Sequence, residues 1–329
     1  MTRLIMTAFG EPVDSVALDT TPIRAPDAEE VVVKMEAATI NPGDFLLIRG
    51  QYPIRPALPY HHLGVEGVGW VVSSGGSARD LVGKRVLVLP TYRQGAWADE
   101  VVASRDNVME IDSDADGLQL AMLPLNPITA QVMLNRFVQL EPGDWVGQTA
   151  ANGAVGQWVI ELAKRRGLKT LNLVRREAAA ETVLRHGGDR VVVMGDDLEQ
   201  RIHDALGDQK LSLALDALGG DTGMAELSSA LKFGGYAVNY GSLIGGPAQI
   251  STEALIVNEV RSTGFWFYNW LTRASRAEVE SAYRSFLTLL DAAALNVPVE
   301  ATYQLKDFRE AFKHAETERA GKILFVFDH

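Results

Sequence analysis

Cysteine is absent from all 329 residues. That removes disulfides, thiolate-held zinc and cysteine nucleophiles together, and it suits a reducing cytoplasm. Positive charge is scarce: 31 Lys and Arg stand against 42 Asp and Glu, a formal net charge of −11. No run of basic residues offers a patch for nucleic acid or a membrane surface, so neither is expected as a partner, and any anionic ligand must be held by local cations. Long apolar runs are missing too, and none approaches the length that crosses a bilayer. The opening stretch MTRLIMTAFGEP has neither the apolar core and cleavage site of a secretory signal nor the Arg- and Ser-rich character of a transit peptide. It reads as the start of the fold of a cytoplasmic protein.

What is present is ordinary globular composition, 47% hydrophobic and 22% charged, in a chain long enough for two domains with cores of their own. The chain changes character part-way along. Up to about residue 120, short β-like runs broken by Gly and Pro (Glu29 to Ile40, Gly67 to Gly75, Gly83 to Pro90, Gly95 to Ser104) argue for a β-rich barrel or sandwich. From Gly143 strand and helix alternate, as in a doubly wound parallel sheet. The first helix of that series sets Val155, Val159, Leu162 and Ala163 on one face. A long helix from Ser275 to Ala294 precedes a β-rich tail. The expected organisation is a nucleotide-binding domain, residues 123–295, inserted into a β-rich catalytic domain, residues 1–122 and 296–329.

The loop ANGAVG, Ala151 to Gly156, lies between the strand at Trp145 and that first helix. It matches the dinucleotide fingerprint with Ala151 at the first glycine position. Gly153 lets the backbone approach a pyrophosphate, Gly156 lets helix and strand pack closely, and Asn152, Ala154 and Val155 complete the turn into the helix amino terminus. The second strand, KTLNLV, is followed by Arg175 and Arg176 where an NAD site places an acidic residue. Two guanidiniums favour a 2′-phosphate, hence NADPH, although Glu177 follows them and surface arginines often only solvate.

At this point the chain resembles the medium-chain dehydrogenase/reductase superfamily, and within it the zinc-independent trans-2-enoyl-thioester reductases of mitochondrial type. The residues that carry the resemblance are INPGDFLLIRGQYPIRPALP (Ile40 to Pro59), LPLNPITA (Leu123 to Ala130), the nucleotide loop with its second strand, and RSTGFWFYNWL (Arg261 to Leu271). NADPH:quinone oxidoreductases share the loop. The resemblance implies a Rossmann domain inserted in a GroES-like one. It implies Tyr52 as the catalytic tyrosine, Asn126 against the cofactor, and Tyr240, Gly241 and Ser242 along its nicotinamide side. It further implies that Phe265, Trp266 and Phe267 border the cofactor and acyl pocket, and that Lys322 approaches the cofactor from the tail. Zinc members of the superfamily carry Gly-His-Glu where this chain reads Gly64, Val65, Glu66, so no metal is expected.

Reducing an alkene conjugated to a carbonyl puts hydride on the β carbon, negative charge on the carbonyl oxygen and a proton on the α carbon. A neutral phenol can meet that charge without a Lewis acid, which suits Tyr52. Arg49 and Arg55 flank it, and one or both are candidates to hold a thioester's phosphates. Trp266 is a candidate wall for the acyl chain. His61 and His62 are neighbours on an extended segment and point to opposite faces, so we read them as structural or pocket-lining. Glu66 is expected to hold backbone or an arginine. The leading expectation is NADPH-dependent reduction of a 2-enoyl thioester or enone by a homodimer paired through the edge strand EVRSTGFWF. A quinone oxidoreductase and a nucleotide-binding protein without turnover are the alternatives.

Overall fold

In the computed structural model, residues 1–291, 297–319 and 321–328 are described. Their contacts divide into two compact units, Met1–Leu125 with Leu271–His329, and Asn126–Trp270 between them in the chain.

The first unit is β-rich. Its strands are β1 (Arg3–Met6), β2 (Val16–Asp19), β3 (Glu30–Thr39), β4 (Gly67–Ser74), β5 (Arg85–Val88), β6 (Glu100–Ser104) and β7 (Val108–Ile111). The strands β14 (Val299–Tyr303) and β15 (Lys322–Val326) return from the tail. β1 and β2 form a hairpin-like antiparallel pair. The remainder make one sheet in the order β14-β15-β3-β4-β5-β7, with β6 also on β3. β15 pairs antiparallel with β3, Phe325 opposite Ala38, so the tail is stitched into the opening strands. Between β3 and β4 the helix Pro42–Ile48 starts on Asn41, with Pro42 in its first turn. Aromatic rings fill the core: Trp97, Phe312 and Phe325 are nearly or fully buried, with Trp97 at 5.2 Å and 5.6 Å from the other two.

The second unit holds β8 (Trp145–Gln148), β9 (Lys169–Val174), β10 (Arg190–Val193), β11 (Leu211–Asp216), β12 (Leu231–Asn239) and β13 (Arg261–Gly264). All pair in parallel, in the order β10-β9-β8-β11-β12-β13. Counted from β8 this is 3-2-1-4-5-6, the doubly wound order that leaves a crevice beyond the carboxyl ends of the first and fourth strands. The helix Ala154–Arg165 buries Gly156, Val159, Ile160 and Ala163, while Val155 and Leu162 are only half-buried. The covered surface therefore differs from the face that apolar spacing picks out, taking in Gly156, Trp158 and Ile160.

Several boundaries differ from the sequence reading. The helix before β12 runs Met224–Ser229, since Leu231 already pairs with Leu211 in the sheet. The long helix runs Arg276–Asp291. Its expected end at Ala294 and the expected domain boundary at 295/296 lie outside the described residues. The compact units part earlier, after Trp270. The reason is visible in the long helix: Tyr283 Oη donates to the Pro124 carbonyl at 2.6 Å, and Arg276 donates to the Val108 carbonyl at 3.1 Å, so the helix belongs with the β-rich unit. No described helix is long and apolar enough to cross a membrane.

Candidate functional site

In the second unit the crevice holds a groove of about 170 Å³, lined by Ala150, Asn152 and Gly153 after β8, by Arg175 and Arg176 after β9, and by Leu218 after β11, among others. Ala150 adopts a left-handed φ of 49°, a conformation costly for a residue with a Cβ and concentrated at functional turns. A Cβ on Gly153 would stand 3.1 Å from the Ala150 carbonyl oxygen, and one on Gly156 would stand 2.6 Å from that of Ala151. Gly156 is therefore required for helix and turn to pack, and Gly153 keeps the mouth of the groove open. Gly153 caps the helix without a side-chain acceptor of its own. The helix amino terminus and two exposed guanidiniums are thus set for an anion, and the donor set fits a phosphorylated dinucleotide.

Asp216, which the sequence reading did not single out, organises the opposite wall. Fully buried, it accepts hydrogen bonds from Thr149 Oγ1 at 2.6 Å, Asn239 Nδ2 at 2.6 Å, and the backbone N–H groups of Leu218 and Gly219. It ties the turns after β8, β11 and β12 into one rim. The available signal was an acidic residue ending an otherwise apolar strand, LSLALD. Tyr240, Gly241 and Ser242 follow β12 on this rim. The Tyr240 N–H donates to the Asp216 carbonyl, and burial together with Asp216 raises its phenol's pKa. Asn126 begins the helix Asn126–Arg136 and is buried. Phe265 is buried edge-on to Phe137, Phe267 is buried beside Trp270, and Trp266 is half-buried against Tyr268.

In the first unit the candidate chemistry gathers at the helix Pro42–Ile48. Asn41 and Asp44 close a capping box, the Asn41 N–H donating to Asp44 Oδ2 at 2.8 Å. The helix ends at Gly50, φ 69°, and the chain doubles back so that the Tyr52 ring lies over Gly43, where an added Cβ would be 3.8 Å from Cε2. Tyr92 Oη donates to Tyr52 Oη at 2.7 Å, and the two rings are 5.6 Å apart. Arg49 is held by Glu11 and Glu316, and Arg55 donates to the Gly50 carbonyl while covering the Phe9 ring.

Beneath them lies a buried polar cluster. Glu66 Oε1 accepts from Thr39 Oγ1 at 2.7 Å and Asn41 Nδ2 at 2.9 Å, and Lys322 Nζ donates to Asn41 Oδ1. Glu66 thus meets an asparagine, a threonine, the Leu125 backbone and the field of Lys322; backbone was expected, and Lys322 stands where the alternative was an arginine. Burial raises the pKa of the Glu66 carboxyl and pushes that of Asp44 up to about 7, and it lowers that of the Lys322 ammonium. Lys322, for which the resemblance implied an approach to the cofactor, hydrogen-bonds Asn41 within its own unit. Removing one partner from a buried ionic cluster costs about 3–5 kcal/mol. His61 faces Asp19 at 3.9 Å and His62 meets the Tyr60 ring edge-on. Val65 is buried, and among the described residues no three His, Cys, Asp or Glu are grouped to hold a metal.

Comparison with known proteins is consistent along the chain. Residues 27–113 match the alcohol dehydrogenase GroES-like domain family and residues 154–286 the zinc-binding dehydrogenase family. The mitochondrial enoyl-[acyl-carrier-protein] reductase of Xenopus tropicalis is 32% identical over 322 residues, covering 95% of this chain and 91% of its own. Among solved structures, a putative NADPH:quinone reductase from Bacillus thuringiensis superposes with a TM-score of 0.89 at 27% identity, over 99% of each chain. The Escherichia coli quinone oxidoreductase complexed with NADPH gives 0.88 at 23% identity, over 99% of this chain and 100% of its own, a likeness of fold.

Proposed function

The chain belongs to the medium-chain dehydrogenase/reductase superfamily, and from that premise we propose that it is an NADP(H)-dependent reductase of the enoyl reductase type, which reduces the C=C bond of a 2-enoyl thioester or related enone. When bound, NADPH would supply the hydride for the β carbon. Arg175 and Arg176 bind the 2′-phosphate, and the turn from Ala151 to Gly156 receives the pyrophosphate at the helix amino terminus. Tyr52 donates its hydroxyl proton toward the carbonyl oxygen or the α carbon as the enolate forms, so the reaction needs no metal. One observation carries this reading: a phenol fixed over a helix start and oriented by a 2.7 Å hydrogen bond, in a chain whose Val65 forgoes the metal-ligand position. We further propose a cytoplasmic homodimer.

The test compares steady-state reduction of crotonyl-CoA with that of a simple quinone. Crotonyl-CoA is expected to be the better substrate, and Tyr52→Phe to lower its kcat by about a hundredfold or more, the loss of one oxyanion donor, with NADPH affinity little changed. Quinone oxidoreduction is the second reading, favoured by the likeness to the Bacillus thuringiensis protein. Near-wild-type kcat in Tyr52→Phe, with faster quinone turnover, would establish it instead.

A further inference from the structure

Tyr92 is held in an unusual way. Its backbone sits at φ 57°, a left-handed conformation that strains a residue with a Cβ and persists only where surroundings fix it. Its carbonyl accepts a hydrogen bond from Tyr60 Oη at 3.1 Å, so the strained turn is pinned from outside. Its ring packs on the core of the β-rich unit, and its hydroxyl donates to Tyr52 at 2.7 Å. We propose that Tyr92 is a positioning residue for the reduction, which fixes the Tyr52 phenol and stabilises the charge that Tyr52 acquires as it gives up its proton.

The inference rests on the reading of Tyr52 as donor to the enolate. As the enolate's electron pair forms the C–H bond at the α carbon, the O–H bond of Tyr52 breaks and its electrons stay on the phenol oxygen. A hydrogen bond to an ionised oxygen is about twice as strong as one between neutral groups, so the bond from Tyr92 strengthens as the reaction proceeds. Water returns the proton to Tyr52 afterwards. Tyr92 is suited to remain the donor throughout, because burial first, and then the proximity of Tyr52, Asp44 and Tyr60, raises the pKa of its phenol.

The experiment is kinetic, on the full-length enzyme with NADPH and crotonyl-CoA. Tyr92→Phe keeps the ring and is expected to lower kcat about tenfold, the effect of one charge-assisted hydrogen bond, with KM for NADPH unchanged. The alkaline limb of the kcat–pH profile is expected to move to higher pH, because Tyr52 loses a bond that favours its ionised form. The double variant with Tyr52→Phe should lose no more than Tyr52→Phe alone, since Tyr92 acts only through Tyr52. Should Tyr92→Phe fold poorly, 3-fluorotyrosine at position 92 preserves the shape, and as a stronger donor it should move the limb to lower pH. A large loss in Tyr52→Phe beside wild-type kcat and an unmoved limb in the position 92 variants overturns this inference and leaves the role of Tyr52 standing. Multiplying losses in the double variant also overturn it. Wild-type kcat in Tyr52→Phe removes both.

Discussion

Arg175 and Arg176 follow the last residue of β9, exposed beside the groove, and single residues of this kind decide cofactor choice. Only NADPH carries the extra phosphate, so changing both to alanine should raise the KM for NADPH by an order of magnitude or more, roughly the loss of bidentate, charge-assisted bonds, and leave that for NADH nearly unchanged. Equal effects on both cofactors in steady-state assays would reduce the pair to surface charge. Asp44 makes a second prediction at this scale. Its pKa rises from 3.8 unfolded to about 7 folded, so between those values the folded protein binds the extra proton. The stabilisation it gives is fully present below about pH 4 and is lost as pH rises through 7. Thermal melts of the native protein and Asp44→Asn across that range should show the native protein losing ground to the variant as pH increases. A difference in Tm that does not vary with pH would show that Asp44 is ionised throughout.

Among the elements, β13 is the exposed edge of the parallel sheet, pairing among the described residues with β12 alone, with all four of its residues exposed. An open edge with unpaired N–H and C=O groups invites a partner strand. In the proposed homodimer two copies of β13 meet across a two-fold axis, and light scattering at micromolar concentration should give twice the mass of the 329-residue chain. A monomer mass would refute it. The edge strand expected over EVRSTGFWF is shorter in the structure, Arg261–Gly264, and the aromatic residues Phe265 to Phe267 lie past its end, where only the parallel pairing to β12 could set its length. Similarly, Gly156 was legible as a packing glycine, but the burial of Trp158 and Ile160 in its helix was not. Apolar spacing fixes which residues can be buried, while the neighbouring backbone fixes which of them are.

For the whole molecule, the chemistry of the donor set predicts independence from metals. Prolonged dialysis against a strong chelator should leave crotonyl-CoA reduction unchanged, since the chain holds no cysteine and Val65 stands at the ligand position. Activity lost on dialysis and restored by zinc would refute this. The alternation of strand and helix and the glycine-bearing turn were fixed by local sequence, because each depends on residue type at short spacing. Tertiary structure decided what depends on distant partners. The long helix joined the β-rich unit through Tyr283 and Arg276, Lys322 met Asn41 from the far end of the chain, and Asp216 drew three turns together. Tyr92 came to rest against Tyr52 across forty positions of sequence. Periodicity carries no record of such meetings, since a hydrogen bond between side chains far apart in the chain is set by how the strands between them pack.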